Sequence, residues 1–122
     1  MIEYVARSGP PEAMNCPAFV CDICRKQVVS EGIVTWATTI GRDGDPGPHR
    51  QTPVYVAHKG RCGRALEVWI ERTYPLDDGW ADLWDDLGDF VRQLAYNLTH
   101  AFEDDAEGTY HPHRLVVPKE IR

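Results

Sequence analysis

Two ligand-bearing pairs constrain this chain more than any other feature of it. Cys21 and Cys24 form a CxxC turn, and after 33 intervening residues His58 and Cys62 form a His-x3-Cys pair at the mouth of a predicted helix. A CxxC turn aims two thiolates at one point, and a second pair returning from elsewhere closes a tetrahedron, the geometry zinc takes with thiolate and imidazole ligands. Any fold of this chain must therefore carry the 21–24 turn to the N-terminus of the later helix. With Cys21, Cys24, His58 and Cys62 all bound, the shell around one Zn2+ is full, whereas a catalytic zinc keeps a position open. The pattern points to a structural ion and a non-enzymatic chain.

At 122 residues and 43% apolar content the chain is expected to form a single domain over 1–122. A core of that size is modestly stable unaided, so a bound metal contributes to folding. The N-terminal MIEYVARSGPPEA lacks the basic and apolar regions of a signal peptide, and no long apolar run follows. A soluble, cytoplasmic protein is expected, where four cysteines point to metal ligation more than to disulfides. A second metal reading stays open. Cys16-x4-Cys21-x2-Cys24 with Cys62 has the spacing of a plant-type [2Fe–2S] ferredoxin. That reading leaves His58 without a role and places Pro17, Ala18, Phe19 and Val20 where a cluster loop needs small residues; the zinc reading leaves Cys16 in the arm as a thiol outside the ligand shell.

Residues 1–17 read as an N-terminal arm. A short strand over residues 2–7 is broken by Ser8-Gly9-Pro10-Pro11, and extended chain runs to Pro17. The zinc-binding unit spans 18–74. IVTWATTI (33–40) and PVYVAH (53–58) form a predicted hairpin around the turn-rich GRDGDPGPHRQ, and Ala65, Leu66, Trp69, Ile70 and Thr73 line one face of a helix over 62–74. A second amphipathic helix is predicted over 79–99 with Asp78 as N-cap. Its stripe of Trp80, Trp84, Leu87, Val91, Leu94 and Leu98 is broad enough to lie on the domain's own core, making 77–99 a packing helix. The tail, 100–122, holds an acidic linker and RLVV (114–117), an edge strand for the hairpin; His100, His111 and His113 read as solvated. The expected class is α+β: knuckle, β-hairpin and helix, closed by a second helix.

Charge divides the chain. Residues 1–66 hold eight Lys/Arg against six Asp/Glu, and residues 67–122 hold five against thirteen. The basic residues Arg25, Lys26, Lys59, Arg61 and Arg64 flank the ligands, a rim that could meet phosphate. The same cations offset nearby thiolates, and a net charge of -6 predicts only weak nucleic-acid binding. The leading partner is another protein, with Asp82, Asp85 and Asp89 as solvated acids on one face of the second helix.

Knuckle, hairpin, then a helix with the last ligand in its first turn resembles the treble-clef zinc finger over residues 18–74. A thiolate at a helix N-terminus is favoured by the dipole. The string His58-Lys59-Gly60-Arg61-Cys62 before a Trp- and Leu-rich helix is also similar to small uncharacterised bacterial zinc-finger proteins of phage and actinobacterial type, a likeness that brings no function. One position departs from the common knuckle: Arg25 stands where Gly is frequent, and Gly there relaxes the turn.

Overall fold

GIVTWATT is dense in β-branched side chains, which pack well on a pleated surface, and it forms the strand around which the molecule is built. The structure, a computed structural model, describes residues 1–6, 8–10, 16–39, 50–100, 114–115 and 121. The central strand β3 (Gly32–Thr39) carries antiparallel partners on both edges. One edge is taken along its length by β6 (Trp80–Asp86), in a register from Ile33↔Asp86 to Thr39↔Trp80. The other is shared by β5 (Tyr55–His58) against residues 32–35 and β4 (Arg50–Gln51) against Thr38.

Between β4 and β5 the pairing slips by one residue, from Thr35↔Tyr55 to Thr38↔Gln51. Thr52 bridges the slip. Its backbone N–H donates to Ala37 O at 2.9 Å, and its hydroxyl accepts from Ala37 N–H at 2.9 Å while donating to Pro53 O. A buried hydroxyl thus satisfies backbone groups beside a proline that has no N–H to offer. The return strand expected from RLVV is β7 (Arg114–Leu115), parallel to β4.

Helix α1 (Arg61–Thr73) crosses one face of this sheet and buries Leu66 and Ile70 completely. Gly63 permits the close approach, since a Cβ there would lie 3.1 Å from both His58 O and Ile33 Cδ1. Beyond the helix, Tyr55, Trp69, Tyr74 and Trp80 meet edge to face, with successive ring centroids 5.1, 6.1 and 4.9 Å apart. The Arg50 guanidinium lies over Trp80 at 5.2 Å.

The strand expected within residues 2–7 is β1 (Ile2–Val5), and it pairs with β2 (Cys16–Phe19) as a two-stranded antiparallel sheet. One expectation is corrected here. The helix expected over 79–99 is two elements. A 3-10 turn (Leu76–Asp78) and Gly79, at φ +88°, redirect the chain into β6, and α2 (Leu87–Thr99) begins only afterwards. Its N-cap is Asp86, whose carboxylate accepts from Asp89 N–H at 3.1 Å, not Asp78. The local spacing of residues 80–86 suits a helix. The open edge of β3 offers them seven residues of ladder, with Thr35 Oγ1 donating to Leu83 O at 2.7 Å, and that long-range pairing prevails. The intended stripe is divided accordingly. Trp80 and Leu87 are buried, whereas Trp84, Val91, Leu94 and Leu98 are exposed. Among the described residues no helix is long and apolar enough to cross a membrane. The loop over 41–49, the acidic linker 103–108 and the histidines at 111 and 113 lie outside the described residues.

Candidate metal centre

Residues 21–26 fold into a knuckle because two backbone hydrogen bonds close it: Cys21 N–H to Lys26 O at 2.8 Å and Arg25 N–H to Cys21 O at 3.0 Å. Arg25 takes a left-handed conformation, φ +63°, in the place where a glycine would be unstrained. The turn forms in spite of that strain, which for an L residue is worth about 1 kcal/mol. Arg25→Gly is therefore expected to raise the stability of the metal-loaded protein by up to about 1 kcal/mol, read from the urea midpoint, offset in part by glycine's freer unfolded state. A clear loss would mean that the Arg25 side chain, 3.6 Å from Met1 Sδ, contributes more than the backbone costs.

Asp22, inside the CxxC, ties the knuckle to the sheet. Asp22 N–H donates to Val56 O at 2.8 Å, and Val56 N–H donates to the Asp22 carboxylate at 2.8 Å. The same carboxylate accepts from the amino group of Met1. Since Val56 lies two residues before His58 on β5, this reciprocal pair sets the distance between the two halves of the ligand set. Nothing in the spacing of the cysteines marks Asp22. A buried acid within a CxxC is the signal that could have done so, because a buried carboxylate needs donors.

Gly60, at φ +90°, turns the chain from β5 into α1 and brings Cys62 into the first helical turn. That turn has no side-chain cap and no acidic residue, so once a metal displaces its proton the Cys62 sulfur is the negative group at the positive end of the helix. The outcome is that the ligand atoms of Cys21, Cys24, His58 and Cys62 all lie within 4.8 Å of one another. These are the four residues expected from the spacing, and they lie close enough to hold one metal ion. Cys16 stays in β2 opposite Val5 and is not part of the group.

His58 is oriented for ligation. Nε2 sits 2.8 Å from Gln27 O, which can only accept, so the proton is on Nε2 and the Nδ1 lone pair faces the cluster, 3.4 Å from Cys24 Sγ. A backbone carbonyl on the remote ring nitrogen is the usual way a ligating imidazole has its tautomer chosen.

The thiols are unequal. Burial pushes the Cys21 thiol up, but N–H groups of Cys24, His58 and Ile23 and the His58 ring outweigh it, and the thiol falls to about 6. Cys62 is raised to about 11 by burial and then by the neighbouring Cys21 and Cys24 sulfurs. The Gln27 carbonyl, and then Cys21, raise His58. Crowded thiols that cannot all ionise are a donor set that fits a dication, whose charge removes the conflict. Loading at neutral pH must release the Cys62 proton together with any proton still held by the other ligands, so metal affinity is expected to rise at least about tenfold per pH unit between about pH 6.5 and pH 8. Below about 6 Cys21 binds a proton as well, and the fall in affinity steepens. Competition against a chromophoric chelator across this range measures the slope, and a flat profile would show that Cys62 is not a ligand.

The basic rim is not a set of free cations. Lys59 pairs with Asp86 at 2.6 Å, which raises the Lys59 amine and lowers the Asp86 carboxyl. Arg25, Lys26, Arg61 and Arg64 are exposed; Arg64, Lys59, Gly60 and Trp84 border an open cleft of about 160 Å³. The three aspartates do not share a helix face, which corrects the sequence expectation. Asp82 and Asp85 sit on β6, and successive odd and even positions of a strand point to opposite sides of the sheet. Asp89 lies in the first turn of α2 and pairs with Arg92. Comparisons with protein-family models, curated proteins and solved structures return no match, so the site is read from its own geometry.

Proposed function

We propose that the chain is a structural-zinc module that binds another protein and catalyses no reaction. The single observation behind this reading is the approach of three sulfurs and one imidazole nitrogen to within 4.8 Å, which supplies four protein ligands and leaves no position for substrate. Zinc is favoured over an iron–sulfur cluster because the group contains His58 with its tautomer set and omits Cys16, the fourth ligand that ferredoxin-like spacing would require. The metal joins the knuckle, the end of β5 and the start of α1, and so serves as a cross-link at the point where the treble-clef arrangement would place one.

Metal analysis of the purified protein should give one zinc per chain, and cobalt substitution should give the visible bands of a tetrahedral thiolate site. A brown protein whose colour is lost in Cys16→Ser would establish the cluster instead. Protein binding is preferred to nucleic-acid binding because the rim loses Lys59 to Asp86 and the chain carries a net charge of -6. Tight, salt-sensitive binding of DNA or RNA, lost in Arg61→Glu with Arg64→Glu, would reverse that preference.

A further inference from the structure

The outer side of β6 is an open sheet edge. Ala37 bonds Thr52 through both its N–H and its C=O, on the β4 side of β3. Facing groups alternate along antiparallel strands, so Asp82, opposite Ala37, turns its N–H and C=O away from β3, and Trp84, opposite Thr35, does the same. Asp86, the next outward position, has its N–H taken by the Asp85 carboxylate at 2.8 Å. Among the described residues nothing pairs with the outward groups of Asp82 and Trp84. The other side of the sheet is occupied, since Asp22 bonds Val56 on β5 and β7 lies on β4. The strand returning from the tail therefore lies away from β6.

We propose that this edge takes up an extended, basic segment of another protein as an added strand, its side chains in the order basic, apolar, apolar, basic. This deepens the protein-binding reading above and rests on it. Charge selects the occupant. Asp82 and Asp85 stand three positions apart on β6, so they lie on opposite faces of the strand. Asp86 is paired with Lys59, whereas Asp82 and Asp85 are in no ion pair among the described residues. In an added strand the residue directly opposite each acid lies about 5 Å away, where an opposite charge attracts and a like charge repels. Two cations three positions apart each meet an acid, one on either face. Between the acids, Leu83 and Trp84 are 45% and 66% exposed and offer apolar surface to the two central side chains. Trp84 also borders the cleft beside Gly60 and Arg64. A second copy of this chain brings the same acids and a net charge of -6 to the contact, which opposes self-pairing.

In strand addition the main-chain hydrogen bonds supply affinity and the side-chain pairs supply selectivity. The N–H and C=O groups of two residues make a short ladder. A six-residue segment therefore binds weakly, with a dissociation constant on the order of 1 mM. The charge pairs lie at the surface, so salt weakens them.

Amide NMR of the metal-loaded full chain, titrated with the end-blocked peptide Thr-Lys-Val-Val-Lys-Thr, tests this. The backbone amide signals of Asp82 and Trp84 should move most, and near saturation their exchange with solvent should slow by about fivefold or more. Thr-Glu-Val-Val-Glu-Thr should bind at least about tenfold more weakly at about 0.05 M salt, a preference that shrinks near 1 M. Methylating both valine nitrogens of the lysine peptide removes its central donor and should weaken binding as well. Asp82→Lys with Asp85→Lys should reverse the preference between the two peptides. Should that variant fail to fold, Asp82→Lys alone, at an exposed position, should narrow the preference several-fold. Three results would overturn the proposal: no movement of these signals at about 5 mM lysine peptide, a folded variant that keeps the wild-type preference, or amides of Asp82 and Trp84 already protected without peptide. Such protection would assign the edge to a second copy if it rises with protein concentration, and to the chain itself if it does not. Nucleic-acid binding lost in Arg61→Glu with Arg64→Glu would fail the protein-binding reading as a whole, whereas a chain that binds neither peptide nor nucleic acid fails the edge alone.

Discussion

Removing the metal from the loaded protein is expected to lower its melting temperature by about 20 °C or to abolish its cooperative transition. Binding free energy at a structural site is folding free energy, on the order of 10 kcal/mol for small zinc units near neutral pH. In a domain of this size each kcal/mol moves the midpoint by roughly 4 °C, and the sheet core keeps part of the fold without the ion. The loss should be local first. The knuckle, held to β5 through Asp22 and Val56, and the uncapped first turn of α1 depend on the cross-link most directly. Apo protein also keeps three crowded thiols, with Cys62 pushed to about 11. Cys62→Ala should reproduce the chelated protein, and Cys16→Ser, outside the ligand group, should fall far short of it. Calorimetry with and without a chelator measures the difference, and equal midpoints for apo and holo protein would remove the structural role of the site.

Leu66→Ala is expected to cost about 3 to 4 kcal/mol, the range for emptying a fully buried leucine site. Leu66 has no exposed surface between α1 and the sheet, and the neighbouring Ile70 and Val34 are equally enclosed. The sheet is held by its ladders and the helix start by its ligand, so the walls of the cavity have little freedom to collapse. Leu94→Ala makes the control. It removes the same atoms from a side chain that is 53% exposed on α2, and in dilute solution should change stability by no more than about 0.5 kcal/mol. Urea unfolding of the metal-loaded proteins compares the two. Similar losses would mean that the core does not lie between α1 and the sheet.

The ligand set was the most legible part of this chain, because its chemistry is local. Thiolates separated by two residues and a His-x3-Cys pair restrict the coordination whatever the path between them. β3, β5 and α1 were legible as well, since β-branched density and a 3.6-residue period report burial on one side of an element. The two actors that hold the centre together were not. Asp22 and Gln27 work through backbone groups, at Val56 N–H and on His58 Nε2, and spacing carries no record of which carbonyl or amide a fold will bring near.

Residues 80–99 show the boundary between the two kinds of information. Their apolar positions at steps of three and four describe a helix, and from Leu87 onward that is what forms. Asp86-Leu87-Gly88-Asp89 carries the true start signal, an N-cap acid with a second acid three residues on, but Asp78-Gly79 competes for the same reading. The choice for residues 80–86 lies 41 to 53 residues away, in the second edge of β3. What the sequence determined alone is the set of three cysteines and one histidine that could hold a metal, the β-rich centre and the amphipathic character of both helices. Only the tertiary structure decided that Trp80 joins an aromatic row while Trp84 faces outward, that the arm closes on itself, and that the far end of α2 runs beyond the core. Local propensities differ by less than about 1 kcal/mol per residue, and a seven-residue ladder with its buried neighbours outweighs them.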